Sequence, residues 1–270
     1  MRHVLAIAAI LLGGTAAHSQ TIYPIDRAEI LSGAKFDLKV EFPGKISPRQ
    51  ASVTVNGVGI GAIGSVFDGF AEFVEREDGK DQSAVIMRNV ALSKPGSYRV
   101  VASDGTNSRE VTWTVYDTGP RQAKNVILFI GDGMSPAHRV AARLLAKGIA
   151  EGKAQGKLAI DDMPHMALVA TAGSDSIITD SANAASAFAT GHKTAVNALG
   201  GYADRSENAF DDPRVESVAS IAKRRLGMAV GIVTNTEIED ATPAAMIAHT
   251  RRRSTYDEIV EQFFASKPDV

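Results

Sequence analysis

The sequence predicts an all-β sandwich followed by an α/β domain with a parallel sheet and helices on both faces. Three observations predict it. Strand-like alternation with Gly, Asn and Pro punctuation fills residues 20–117. A polar linker then carries the chain to continuous apolar runs of strand length, which mark strands buried on both faces. Helical stretches separate those runs, and strands alternating with helices build a parallel sheet.

In the first region, Lys35–Phe42 alternates cleanly. Phe36, Leu38, Val40 and Phe42 fall on one face, and Lys35, Asp37, Lys39 and Glu41 on the other, as in a half-buried strand. Ser52–Val55 alternates too, and Asn56-Gly57 is a turn signal after it. Tyr98, Val100 and Ala102 share a face; Asp104-Gly105 turns the chain; Val111, Trp113 and Val115 share a face on the return. A small antiparallel, immunoglobulin-like sandwich is expected, with no catalytic cluster in it.

Residues 118–124 are expected to be the linker, within DTGPRQAK. From residue 125 the apolar runs are Asn125–Ile130, Met166–Ala172 and Met228–Thr234. Helices are expected over Ala137–Glu151, Ser181–Thr190 closed by Gly191, Val215–Leu226 capped by Gly227, Pro243–Arg252 and Thr255–Ala265. Lys267-Pro268-Asp269-Val270 is where a further strand should begin. So few buried strands do not make a stable parallel sheet, so the domain (125–270) is expected to be C-terminally incomplete.

Met1-Arg2-His3 followed by the apolar run Val4–Gly14 reads as a secretory signal over residues 1–19, with Ala17 and Ser19 suiting cleavage ahead of Gln20. The run is shorter than the ~20 residues of a spanning helix. The mature protein is therefore expected to be exported, periplasmic or secreted, without stable membrane insertion. Its 29 basic and 31 acidic residues leave a net charge of -2, which argues against nucleic acid and anionic lipid as partners. There is no cysteine, so disulfides and thiolate zinc sites are excluded, and any zinc would need His, Asp or Glu ligands.

Three clusters carry chemistry. Gly131-Asp132-Gly133-Met134 follows the first buried run, and ligands of open α/β sheets collect at the carboxyl ends of strands. An Asp between glycines there suits a metal, although Asp-Gly is also ordinary turn chemistry. In Thr179-Asp180-Ser181-Ala182-Asn183, Ser181 opens a helix of small residues, where phosphate would meet free backbone N–H groups; a plain N-cap serine is the bland alternative. No histidine lies near it in a triad-like pattern, so a metal is its natural activator. In Glu239-Asp240-Ala241-Thr242-Pro243, Asp240 and Thr242 are oxygen donors that suit Mg²⁺, while Thr242 before Pro243 also reads as an N-cap. Arg251, Arg252 and Arg253 read either as favourable charge at a helix end or as a phosphate clamp.

Together, NVILFIGDGM, TDSANAASAFATGHKT with NALG, and EDATPAA followed by AH resemble the alkaline phosphatase family over about Lys124–Val270. The resemblance implies hydrolysis of small phosphate monoesters through a phosphoserine at Ser181. It implies one Mg²⁺ and two zinc sites, with Asp132 bridging magnesium and one zinc, Ser181 on that same zinc, and Asp240 and Thr242 on magnesium. Arg253, thirteen residues after Asp240, stands where the family places its phosphate-binding arginine. A homodimer is a further expectation. The sequence departs from the family in Ser135, where a third glycine is frequent, and in lacking most zinc ligands, which are expected beyond Val270. His138, His165, His192 and His249 read as structural, with His192 closest to the site. The chain alone is expected to be inactive. Alternatives are a superfamily relative cleaving phosphodiesters or sulfate esters, and a non-catalytic secreted binding protein.

Overall fold

The computed structural model describes residues 19–60 and 71–270. The expected signal segment, apart from Ser19, lies outside the described residues. The chain forms two compact units: residues up to Tyr116 together with Arg205–Asn208, and Asp117–Asp204 together with Ala209–Val270.

The first unit is a two-sheet sandwich. Its strands are β1 (Thr21–Tyr23), β2 (Glu29–Leu31), β3 (Lys35–Phe42), β4 (Ser52–Val55), β5 (Val58–Gly59), β6 (Glu72–Val74), β7 (Ser83–Ala91), β8 (Gly96–Ser103) and β9 (Ser108–Tyr116). One sheet has the order β1-β3-β7-β6 and the other β2-β9-β8-β4-β5. All pairings are antiparallel except β2 with β9. Asn56 and Gly57, both at positive φ, turn β4 into β5. The core fills from the inward faces, with Phe36, Leu38, Val40, Val100, Val111 and Trp113 buried. Trp113 meets the edge of Phe36 with ring centroids 5.4 Å apart and donates its indole N–H to the Pro24 carbonyl at 2.9 Å, so its one polar atom is satisfied.

The polar face of β3 departs from the expected solvent exposure. Asp37, Lys39 and Glu41 are all buried. Buried charge must be paired, and here it is. Lys39 Nζ forms an ion pair with Glu77, on the short turn Glu77–Gly79, and lies 4.0 Å from Glu41. Glu41 also accepts the Arg205 backbone N–H at 2.8 Å. Asp37 stands opposite two residues of β7, Arg88 and Asn89, in a bulge; it accepts the Arg88 guanidinium at 2.7 Å and the Asn89 N–H at 2.9 Å. Strict alternation hid these partners because they come from residues distant in sequence.

In the second unit the helices are α1 (Pro136–Lys147), α2 (Ser181–Thr190), α3 (Val218–Leu226), α4 (Ala241–Ala244) and α5 (Tyr256–Ser266). Gly191 and Gly227 close α2 and α3 in the left-handed conformation, as their sequence positions predict. α1 ends earlier than expected, at Gly148, and a small hairpin follows, β10 (Ile149–Ala150) against β11 (Lys153–Ala154). The expected helix Pro243–Arg252 is shorter. α4 starts at Ala241 and turn hydrogen bonds carry it only to Ala248. Thr250 then pairs with Leu199 in both directions, at 2.7 and 3.1 Å, which pulls the chain away from a helical path.

The apolar runs do not form the expected ladder. Val126, Ile127, Leu128 and Phe129 are exposed, as are Met166, Leu168 and Val169. A doubly buried strand needs a neighbour on each edge and a layer on each face, and the described residues give 125–130 neither. Near the end of the chain the Val230 carbonyl accepts the Asp269 N–H at 2.7 Å and the Val270 carbonyl accepts the Ile232 N–H at 2.9 Å. The core of this unit lies instead between α2, α4 and α5, where Ala182, Ala185, Ala241, Ala244, Ala248, Ile259 and Phe263 are buried. Methyl side chains on both α2 and α4 let the two backbones approach closely.

Candidate active site

Asp132 sits on the bend that follows the first apolar run. Gly133 at φ +67° makes the bend possible, and the Met134 N–H closes it on the Gly131 carbonyl at 3.1 Å. Ser181 is the first residue of α2, but it is not the cap. Asp180 caps the helix, its carboxylate accepting the Asn183 N–H at 3.1 Å, while Asn183 Oδ1 accepts the Asp180 N–H at 3.0 Å. The reciprocal pair is a capping box built from Asp and Asn. Ser181 is thereby left free of capping duty, with its hydroxyl at the positive end of the helix.

Asp240, not Thr242, caps α4, accepting the Ala241 N–H at 2.7 Å, and Pro243 lies inside the first turn. The Thr242 hydroxyl is therefore available, and it donates to Asp132 Oδ2 at 2.7 Å, joining the first and third sequence clusters.

These residues share one cavity of about 620 Å³, lined by Asp132, Asp180, Ser181 and Thr242 on its polar side and by Leu128, Phe129 and Phe188 on its apolar side. Asp240 is not among its lining residues. It reaches the others through Arg253, whose guanidinium donates to Asp240 Oδ1 at 2.7 Å and to Asp180 Oδ2 at 3.3 Å. Burial works against the Arg253 charge, but the two carboxylates outweigh it and hold the guanidinium above its ordinary range. The Arg253 backbone is fixed by its N–H on the Asn197 carbonyl at 2.9 Å. Arg251 turns elsewhere, donating to the Asp204 carbonyl at 3.1 Å.

No histidine lines the cavity. His192 is buried and pairs with the Tyr202 hydroxyl at 2.7 Å; desolvation lowers its pKa to about 4, so it stays neutral. His249 contacts the Gly200 carbonyl at 2.7 Å, and His138 caps α1 with Ser135. The roles of Asp180 and Asn183 were missed by sequence reasoning. The signal was there, in an Asp followed three residues later by Asn at a helix start.

The donors fit magnesium, a hard cation that takes carboxylate and hydroxyl oxygens: Asp132 and Thr242 already touch, and Asp240 lies on the adjoining turn. They do not complete a zinc set, since the cavity offers only the carboxylates of Asp132 and Asp180, and Asp180 is engaged by the helix cap and by Arg253.

The profile of the alkaline phosphatase family matches residues 123–267. The alkaline phosphatase of Escherichia coli K12 is 37% identical over 171 residues, covering 61% of this chain and 33% of that protein. Alkaline phosphatase H of Pseudomonas aeruginosa is 32% identical over 204 residues, covering 66% of this chain and 39% of its own length. Among solved structures, a mutant of TAB5 alkaline phosphatase with magnesium bound is 34% identical, with a TM-score of 0.33, over 37% of this chain and 27% of that one. The chain thus spans about a third of the length of the curated relatives it matches. By that match over more than half its residues, the chain belongs to the alkaline phosphatase family.

Proposed function

We propose that this chain carries the nucleophile and the magnesium-side ligands of a metal-dependent phosphate monoester hydrolase. The carrying observation is the cavity that holds Ser181 at a helix N-terminus beside the hydrogen-bonded Asp132–Thr242 pair, with the Arg253 fork adjoining it through Asp180. In this reading Ser181 Oγ bonds to phosphorus as the ester P–O bond breaks, leaving phosphoserine and the free alcohol, and water then hydrolyses the phosphoserine. Arg253 binds two phosphoryl oxygens with its planar fork, and the free N–H groups of the first turn of α2 receive the third. Magnesium held by Asp132, Thr242 and Asp240 would supply positive charge beside the transferred group.

Export to the periplasm or the exterior is proposed from the N-terminal segment, and N-terminal sequencing of the mature protein tests it. The immunoglobulin-like character of the sandwich is proposed from its two facing sheets. Among the described residues no helix is long and apolar enough to cross a membrane.

The deciding experiment assays the native protein, supplied with Mg²⁺ and Zn²⁺, on p-nitrophenyl phosphate, bis(p-nitrophenyl) phosphate and p-nitrophenyl sulfate side by side. Turnover of the monoester well above the other two is expected. Diester or sulfate turnover in excess of monoester turnover overturns the assignment.

A further inference from the structure

We propose that Asn183 is a positioning residue for phosphate recognition, setting Asp180 so that Asp180 aims Arg253; the inference rests on the phosphatase reading. Asn183 does not line the cavity, although Ser181 and Ala184 on the same helix do. It is nonetheless 3% exposed, and its Oδ1 holds the Asp180 backbone N–H at 3.0 Å. With the Asp180 N–H held there and Asp180 Oδ1 on the Asn183 N–H, the other carboxylate oxygen is left pointing at its remaining donors. These are Arg253 Nη1 at 3.3 Å and the Asn197 N–H at 3.3 Å. The chain of contacts therefore runs from Asn183 through Asp180 to Arg253, and from Arg253 to Asp240.

Packing does not explain the choice of asparagine. Its Nδ2 is buried and has no hydrogen-bond partner, a destabilising arrangement. Asparagine is also a weak helix former. The neighbouring turn makes room for the amide: a Cβ on Gly173 would stand 2.6 Å from Asn183 Nδ2. Leucine has the same number of side-chain heavy atoms, branched at the same position, and would remove the orphaned amide. What leucine cannot do is accept the Asp180 N–H. An arrangement that costs stability and serves one acceptor marks that acceptor as the functional part.

The test compares Asn183→Leu and Asn183→Ala in the native protein with Mg²⁺ and Zn²⁺, using inorganic phosphate as the binding probe and p-nitrophenyl phosphate as substrate. Leucine keeps the space filled, so it remains informative where the alanine variant unfolds. Loss of aim at Arg253 removes binding common to ground state and transition state. The phosphate Kd and the KM are therefore expected to rise together by about tenfold, the scale of a lost helix cap, with kcat held within about twofold. In an Arg253→Ala background the same replacements are expected to change neither quantity, because the route to phosphate is already cut. A purely structural residue would give the same loss in both backgrounds, or a lower melting temperature with unchanged phosphate Kd, and either overturns the proposal. Wild-type protein that binds no phosphate overturns the functional reading itself; wild-type binding with unaltered Asn183→Leu binding overturns the positioning role alone.

Discussion

Replacing Gly200 by alanine perturbs the segment that anchors Arg253. Gly200 has φ +59°, where an alanine costs about 1 kcal/mol. The added Cβ would stand 2.5 Å from His249 Nδ1 and 2.6 Å from the Ala248 carbonyl oxygen. Neither neighbour yields easily. The first holds the Gly200 carbonyl at 2.7 Å, and the second belongs to the backbone turn after α4. Overpacking of this kind costs about 1–3 kcal/mol, and the reduced freedom of the unfolded chain returns about 0.5 kcal/mol. The expected loss is about 1.5–3.5 kcal/mol. Gly227→Ala is the control, because Gly227 has φ +60° and nothing within 4 Å of its Cβ position, so only the backbone cost of about 1 kcal/mol, less the same return of about 0.5 kcal/mol, remains. Among the described residues the α-helices all lie in the second unit and the sole tryptophan, Trp113, lies in the first. A urea titration read by circular dichroism at about 222 nm therefore follows the second unit, and Trp113 fluorescence follows the first. The helical midpoint should fall for Gly200→Ala, by more than for Gly227→Ala, while the fluorescence midpoint stays put. Equal losses from the two variants would refute the steric argument.

Further outcomes follow from charge and metal binding. Burial lowers the His192 pKa from 6.5 to about 4, so the unfolded chain takes up a proton that the folded chain refuses as pH falls through that window; stability should drop by up to about 3 kcal/mol between pH 6.5 and 4, and His192→Gln should flatten the drop in a pH series of melting temperatures. Asp212 has the opposite sign: burial, then repulsion from Asp204 and Asp211, raise its pKa to about 7 against the hydrogen bond from the Asp204 N–H and the Arg251 charge. Its ionisation costs stability as pH rises from 3.8 through 7, and Asp212→Asn should stabilise the protein at pH 8 and change little at pH 4. Mg²⁺ should raise the melting temperature of the second unit, by an amount equivalent to about 2.7 kcal/mol at a hundredfold excess over Kd, and Asp132→Asn should abolish most of the rise in a thermal-shift titration.

Much of the sandwich was legible because its signals are local. The Asn56-Gly57 turn and the inward stripe of Val111, Trp113 and Val115 need only neighbours in sequence, and both stand in the structure. The buried polar face of β3 was not legible, since Glu77 and Arg205 cover it from far along the chain. The helix caps of the second unit were half legible. Gly191 and Gly227 end their helices as expected and α2 starts at Ser181 as expected, but its cap is Asp180, and the cap at Asp240 starts α4 two residues before Pro243, so neither Ser181 nor Thr242 is spent on capping. The apolar runs 125–130 and 228–234 read as buried strands, yet Val126, Phe129 and Val233 are exposed: a strand is completed by its neighbours, and those pairings are not properties of the runs themselves. At the site, the three clusters were named from the residues, while the Asp180–Arg253–Asp240 fork could come only from the fold.

The central claim is that Ser181 takes up the phosphoryl group. Native protein supplied with Mg²⁺ and Zn²⁺ is mixed with radiolabelled phosphate ester, quenched in acid and digested, and the labelled peptide is mapped by mass spectrometry. The account predicts label on Ser181 that disappears, with turnover, in Ser181→Ala. Label on another residue, or undiminished turnover by Ser181→Ala, would contradict it.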